Sequence, residues 1–517
     1  TWSSTNNTSL TMSIGELADV SFSSGNDIST NTLAPVFNYT DGEKTTFTIR
    51  NKSDSELKYK ILLNITSIED ELKSSSLKYK LLSGNNVVIE GDFSNITSNS
   101  SITLYESTLT KGNISFIFYL YIDGNEENDL NMMGKNITGN IMVEANAGIN
   151  FAEYITNLYT DASKTTVANN SVTYNYATSV GLMNDRLGSM STGIDAGNIR
   201  YYGASPNNYI YFNCDDYSNQ TSDTCEKWKI IGVFEVETPN GNGNYTKERK
   251  VKIIRENKLG GYAWDTSAQS VNSGYGINQW GATSNYEGAD LMRLLNPGYT
   301  NSSINNSLYW EAGAGTCYTS YNNVTKPCDF TSSGLKNSQT KNVISKTKWS
   351  LGNGDSVESY VNEMYKVERG TSVITSPTDR VKRTTSWDGY VALAYPSDIL
   401  YTSDFRTCTT NMNNVFRYED NCGSSTAWLA NLYDGQKDSA SIYSTYAYWL
   451  LTPGVRSVEF VYRFDGSHFS NSKAASGWLL ENKRIDGEVI PTLYLDAGAL
   501  YKQGNGSSDT PYQILIN

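Results

Sequence analysis

The sequence predicts a mainly β protein with some α. It comprises an N-terminal antiparallel β-sandwich, a helical connector and a C-terminal mixed α/β domain with three local disulfides. Three observations carry this expectation. Residues 1–147 repeat an apolar pattern of period two and contain no cysteine. Residues 148–190 change to helical spacing. Residues 191–517 hold all six cysteines in three close pairs. At 517 residues the chain is too long for a single core, so more than one domain is expected.

The first domain, 1–147, is read from its strands. In "LKYKILLNIT" (57–66), Leu57, Tyr59, Ile61, Leu63 and Ile65 fall on one face, and Lys58, Lys60, Asn64 and Thr66 on the other. "TTFTIR" (45–50), "SLKYKLL" (76–82) and "SFIFYLYI" (115–122) repeat the period. Alternation of this kind marks antiparallel strands packed on one side. "SGNN" (83–86) joins two such runs and reads as a hairpin turn. Short strands separated by turn signals suggest a sandwich.

In the connector, 148–190, Phe151, Ile155 and Leu158 share a helical face, as do Val180, Met183 and Leu187, with Gly188 as a stop. From 191 onward, "NYIYFNC" (208–214), "KWKIIGVFEVE" (227–237), "RKVKIIRE" (249–256), "GYVALAYPSD" (389–398) and "VIPTLYL" (489–495) read as strands. "GADLMRLLNPG" (288–298) reads as a helix with Leu291, Leu294 and Leu295 inward.

The cysteine pairs Cys214/Cys225, Cys317/Cys328 and Cys408/Cys422 each close a short polar loop. Locality selects this pairing among the fifteen that six cysteines allow. No CxxC or Cys/His cluster suggests zinc. Persistent disulfides imply an oxidising compartment, so an extracellular, secreted or cell-surface protein is expected. The longest apolar run is too short to span a membrane, and the start at Thr1-Trp2 reads as a mature or trimmed product. Membrane attachment is therefore expected only through a removed or missing anchor. The net charge of −13 and the lack of a basic patch argue against nucleic acid.

The order of "ADLMRLLN", "YVALAYPSD", "YWLLTPG" (448–454) and "VIPTLYL" resembles the formylglycine-generating-enzyme-like branch of the C-type-lectin-type fold. More narrowly, it resembles domains of surface proteins from gut-dwelling Gram-positive bacteria. Those domains end in Trp-Leu-Arg-Ser-Pro-like and Val-Arg-Pro-Ala-Leu-like strands. The counterparts here are Trp449–Pro453 and Val489–Leu493, and "GNGSSDTPYQI" (504–514) is similar to their ending. The resemblance implies a C-type-lectin-like head over 191–517. Residues 1–147 resemble the TasA/camelysin sandwiches of secreted fibre proteins, through "FTIRNKS".

Little in the sequence favours catalysis. His468 is the sole histidine, and no GxSxG elbow is present. The copper-binding cysteines of formylglycine-generating enzymes have no close C-terminal pair as counterpart, so that activity is not carried over from the fold. No cofactor is expected. Asp123, Glu126 and Asp129 in "DGNEENDLN" are an oxygen-rich calcium candidate, but their spacing departs from the EF-hand pattern. The aromatic segment after "YWLLTPG" supplies the candidate ligand contacts Tyr462, Arg463, Phe464, His468, Phe469, Trp478 and Arg484. In an alternating strand, Tyr462 and Phe464 could equally face a core. The expected function is that of a non-catalytic, adhesin-like surface protein whose head binds a glycan or a surface protein. The alternative is a structural subunit of a pilus-like surface filament or coat, self-associating through its N-terminal domain.

Overall fold

The computed structural model describes residues 20–23, 34–51, 57–110, 112–125, 132, 135–146, 149–169, 172–186, 197–266, 278–284, 286–300, 304–320, 324–352, 360–370, 384–408, 426–435, 447–454, 460–466, 469–473 and 487–516. They are mostly strand with a few short helices. The chain divides into two units, Thr1–Ile149 and Asn150–Asn517.

Among the described residues of the first unit, one sheet runs in the order Val20–Ser23, Glu43–Asn51, Gly112–Asp123, Leu77–Ser83, Asn86–Asp92. Pro35–Val36 pairs in parallel with Gly112–Asp123. A second sheet holds Ser100–Leu109, Leu57–Ile68 and Ile137–Asn146. The period-two residues decide which faces meet. Phe47, Ile49, Leu77, Leu81, Phe116 and Phe118 of the first sheet share a buried cluster with Ile61, Leu63, Ile65, Ile141 and Val143 of the second. Ser83 opposes Asn86 across the hairpin, and Gly84 takes a φ of 61°, a conformation glycine adopts without a Cβ penalty.

The second unit is built on a long sheet. Its path is Thr165–Asn169, Val172–Ala177, Leu182–Asn184, Ile199–Tyr201, Glu226–Pro239, Tyr245–Arg255, Thr492–Tyr494, Val391–Ala392, with Tyr209–Phe212 on the near end of Glu226–Pro239. The register of Glu226–Pro239 against Tyr245–Arg255 shifts between Ile230 and Gly232. A side chain at Gly232 would collide with the Ile199 carbonyl oxygen, so glycine is what lets strand Ile199–Tyr201 close onto this one. A second sheet runs Gly261–Tyr262, Gly487–Glu488, Tyr448–Pro453, Phe460–Phe464, Phe469–Lys473. "YWLLTP" is a core strand, buried throughout.

Two expectations are corrected. Residues 150–186 do not stand apart as a helical connector. Helix Phe151–Asp161 forms, with Asn150 Oδ1 accepting from the Ala152 and Glu153 N–H groups at 3.0 and 3.2 Å. However, it buries Phe151, Ile155 and Tyr159 in the core of the second unit. The expected second helix is replaced by a 3₁₀ turn at Thr178–Val180, Gly181 at φ 65°, and strand Leu182–Asn184. Leu182 and Met183 are both fully buried, one on each side of a sheet, and a short apolar run does not distinguish that arrangement from a helix. In "YVALAYPSD", only Val391–Ala392 is strand, and Pro396–Leu400 begins a helix with proline in its first turn. Asp398 is therefore a helix-capping residue.

Disulfides join Cys214 to Cys225 and Cys317 to Cys328. Cys408 is also disulfide-bonded, and its expected partner Cys422 lies outside the described residues. Such bonds persist in oxidising environments. Among the described residues no helix is long and apolar enough to cross a membrane.

Candidate functional site

The hairpin expected to carry ligand contacts is present as strands Phe460–Phe464 and Phe469–Lys473. Its aromatic residues turn inward. Tyr462 and Phe464 are 0% exposed and Phe469 is 2% exposed. Phe464 lies opposite Phe469 in the ladder, with ring centroids 4.5 Å apart, and meets Tyr433 edge-on at 5.7 Å. These three side chains are core, not contact surface. Packing explains the change: Phe464 and Phe469 gain more in a tilted and edge-on aromatic cluster than by facing water. Arg463 is half-buried, and its desolvation lowers its pKa against the pull of Asp465. His468, Trp478 and Arg484 lie outside the described residues, as do Glu126 and Asp129. Asp123 is already engaged. Its Oδ1 accepts from the Asn125 N–H at 3.0 Å, and its Oδ2 pairs with Lys78 Nζ at 2.9 Å. These bonds lower its pKa to about 2.

The second unit buries a group of charges that the strand pattern did not reveal. Arg200 stands on strand Ile199–Tyr201, Lys252 on Tyr245–Arg255, Asp398 in helix Pro396–Leu400, and Glu368 and Arg369 at the end of helix Val361–Glu368. Asp185 follows strand Leu182–Asn184. Arg200 Nε donates to Asp185 Oδ2 at 2.7 Å and its Nη1 to Asp398 Oδ1 at 3.1 Å. Lys252 Nζ donates to Asp398 Oδ2 at 2.5 Å, and the Tyr395 N–H reaches the same oxygen at 3.0 Å. Glu368 Oε1 accepts from the Ser397 N–H at 2.8 Å, while its Oε2 accepts from Arg369 and the Ser397 hydroxyl. Three cations thus meet three carboxylates.

Aromatic rings insulate these charges. Lys252 Nζ lies 4.5 Å from the centroid of Tyr395, 5.3 Å from Trp349, 5.4 Å from Phe234 and 5.5 Å from Tyr494. Arg200 sits over Tyr401 at 4.4 Å and Phe234 at 4.6 Å. Ring faces attract such cations and partly replace lost water. The titration follows from the burial. Desolvation works against ionised Asp398, but Lys252, Arg200 and Arg369 outweigh it and hold its pKa below the ordinary carboxylate range. Desolvation also lowers the pKa of Lys252, to about 8, because its one carboxylate is shared with two arginines. Burial raises Glu368 above its ordinary value despite Arg369.

Above this group opens a cleft of about 510 Å³. Trp349, Tyr395 and Tyr494 are among its lining residues, and its polar lining includes Glu235, Glu237, Lys348, Ser350, Thr385 and Ser386. Arg369 connects the buried charges to the opening. Its side chain is 22% exposed, against 1% for Arg200 and 0% for Lys252. The guanidinium is held between the rings of Tyr365 and Tyr395, at 4.1 and 4.2 Å. Across the cleft, Lys348 Nζ pairs with Glu237 at 2.5 Å and sits 4.5 Å over the ring of Tyr245. A cleft of this size, with an aromatic floor and a few fixed polar groups, suits a small ligand or the tip of a larger one. The sequence signals missed were single charges inside apolar runs, such as Lys252 in "KVKII" and Asp398 after "YVALAYPS".

No family model matches the chain, and no curated protein matches it. Among solved structures, a family 35 carbohydrate binding module from an environmental isolate is 14% identical, with a TM-score of 0.15, covering 25% of this chain and 89% of its own. A beta-glucosidase from Kluyveromyces marxianus is 13% identical, with a TM-score of 0.14, covering 23% of this chain and 12% of its own. The same enzyme in complex with glucose is 12% identical, with a TM-score of 0.13, covering 26% of this chain and 14% of its own. Likenesses this slight do not establish a shared fold.

Proposed function

We propose that the chain is a non-catalytic extracellular recognition protein whose larger unit binds a glycan or a protein surface in the cleft above the buried charges. The observation that carries this reading is Arg369. It is the one cation of the group that reaches the cleft, and it is braced there by two tyrosine rings and Glu368. Preorganised groups of this kind hold a ligand without losing side-chain freedom on binding. Binding is favoured over acid–base chemistry because every carboxylate oxygen of Asp398 and Glu368 already accepts a hydrogen bond. The disulfides fit an extracellular setting.

The test is an array of glycans and matrix proteins probed with the full chain, disulfides intact, beside the Tyr365→Ala and Lys348→Ala variants. Saturable binding that weakens about tenfold or more in either variant supports the reading. A blank array, or binding untouched by both variants, removes it.

A further inference from the structure

We infer that a second cleft in the same unit, distinct from the one above, is a binding site for a neutral saccharide. It has a volume of about 470 Å³ and is formed by helix Phe151–Asp161, the turn at 178–181, the loop 202–207 and the segment around 404–406. Three features of its lining point to the same ligand chemistry.

The first is charge. Among the described residues, Asp404 and Arg406 are the sole charged residues lining the cleft, and they cancel. Arg406 Nε donates to both carboxylate oxygens of Asp404, at 2.9 and 3.0 Å, and its Nη2 donates to Oδ2 at 2.5 Å. The Arg406 N–H also binds Asp404 Oδ1 at 3.0 Å, so the pair is fixed from both ends. Arg406 Nη1 has no acceptor among the described residues, and the side chain is 40% exposed. The pair thus offers a donor edge beside a carboxylate while presenting no net charge. That arrangement holds out a hydrogen-bond donor to a ligand hydroxyl oxygen, while the Asp404 carboxylate, whose oxygens are both taken up by Arg406, cancels the charge that would favour an anion.

The second feature is the aromatic walls. Tyr154 is stacked on Tyr501 with centroids 3.7 Å apart, which braces its ring at the cleft wall. Tyr202 is held edge-on by Tyr176 at 4.5 Å. Tyr202 is only 5% exposed and backs the wall, so it is the half-buried Tyr154 ring that supplies flat apolar surface for the C–H face of a sugar, at little entropic cost. The third feature is the remaining lining, in which Ser205, Asn207 and Asn505 offer hydroxyl and amide groups. An apolar ligand would leave these groups without partners, which disfavours it.

The experiment uses the full chain, disulfides intact, titrated by calorimetry and by saturation-transfer NMR with neutral oligosaccharides and with acidic counterparts of the same size. Saturable binding of a neutral saccharide is expected, unchanged between low and high ionic strength because no charge pair forms. Arg406→Ala should weaken it about tenfold or more, the loss expected when a charged hydrogen-bond donor is removed. Asn505→Ala, on an exposed loop, should weaken it severalfold, and it serves as the readout if Arg406→Ala alters the melting behaviour. Lys348→Ala, in the other cleft, should leave saccharide binding unchanged. The assignment is overturned by the absence of saturable neutral-saccharide binding, by affinity that falls as salt rises, or by binding indifferent to both Arg406→Ala and Asn505→Ala. It is also overturned if Lys348→Ala abolishes binding, a result that would move the ligand to the first cleft and leave the proposed function standing.

Discussion

The two units spend the same kind of sequence in different ways. In the sandwich, the charged groups of the strands stay at the surface. Lys60 pairs with Glu106 and Lys80 with Glu90, with the carboxylates 62% and 63% exposed. Exposed pairs of this sort contribute about 0–1 kcal/mol each. The core between the sheets is aliphatic and aromatic. In the larger unit, Arg200, Lys252, Asp185, Asp398 and Glu368 lie within the core, at 0–1% exposure. Among the described residues the first unit buries apolar side chains and a few neutral polar ones, Thr45, Asn51 and Ser76, but no charge. The larger unit adds this group of charges, which is tolerable because each member meets a partner of opposite sign. Such a group fixes its members' geometry, since any displaced member leaves a buried charge alone. It therefore stiffens the floor on which Arg369 and the tyrosines stand.

The largest expected effect breaks this arrangement at its centre. Asp398→Ala leaves Arg200 and Lys252 sharing too few carboxylates, and should lower the unfolding free energy of the larger unit by about 3–5 kcal/mol. Tryptophan fluorescence in urea reads this, because nine of the ten tryptophans belong to that unit. A loss below about 1 kcal/mol would mean that the charges are not pinned by Asp398. Hydrogen exchange in the sandwich strands should not change in this variant.

The reciprocal experiment truncates the sandwich core. Leu63 is 0% exposed within the apolar cluster, so Leu63→Ala should cost about 2–5 kcal/mol, the range for a cavity in a packed core. The increase in exchange should be confined to strands Leu57–Ile68, Ser100–Leu109 and Ile137–Asn146 and their neighbours. Equal loosening of the larger unit would show that the two cores do not respond separately.

A smaller effect sharpens the contrast between paired and unpaired burial. Lys229 is 8% exposed and stands 4.2 Å from the ring of Tyr209 and 5.1 Å from that of Trp428. No ion pair reaches it among the described residues. Burial pushes its pKa down to about 8, with Glu256 pulling the other way. Between about pH 8 and the ordinary lysine value, the unfolded chain binds more protons at this site than the folded one. Stability therefore rises with pH across that window and falls as pH drops through about 8. The slope from this group is at most about 1.4 kcal/mol per pH unit. Lys229→Met should flatten the slope between pH 8 and 9.5 and raise stability at neutral pH. An unchanged slope in urea melts would show that the ammonium is solvated.

Much of the fold was legible. Period-two runs located the sandwich strands, because one buried face forces alternation. Gly84 and its neighbours marked a hairpin, because the turn needs a positive φ. Local cysteine spacing gave Cys214–Cys225 and Cys317–Cys328, since short loops bring their ends together. Over 178–186 the helical spacing misleads because Leu182 and Met183 are buried on both sides of a sheet, where no period survives; Leu187 and Gly188, the expected last turn and stop, lie outside the described residues. The aromatic hairpin was read as a surface because composition does not tell a ring that binds from one that packs. Tyr462, Phe464 and Phe469 pack.

By itself, the sequence determined what depends on neighbours in the chain: strand period, turns, helix caps and loop-closing disulfides. Only the tertiary structure decided which distant charges meet. Arg200 finds Asp398 across 198 residues, and Lys252 finds it across 146. Each of these side chains alone would be driven to the surface by its hydration. Their burial becomes favourable only when the folded sheet and the helix bearing Asp398 bring all the partners together at once, and no local pattern encodes that condition.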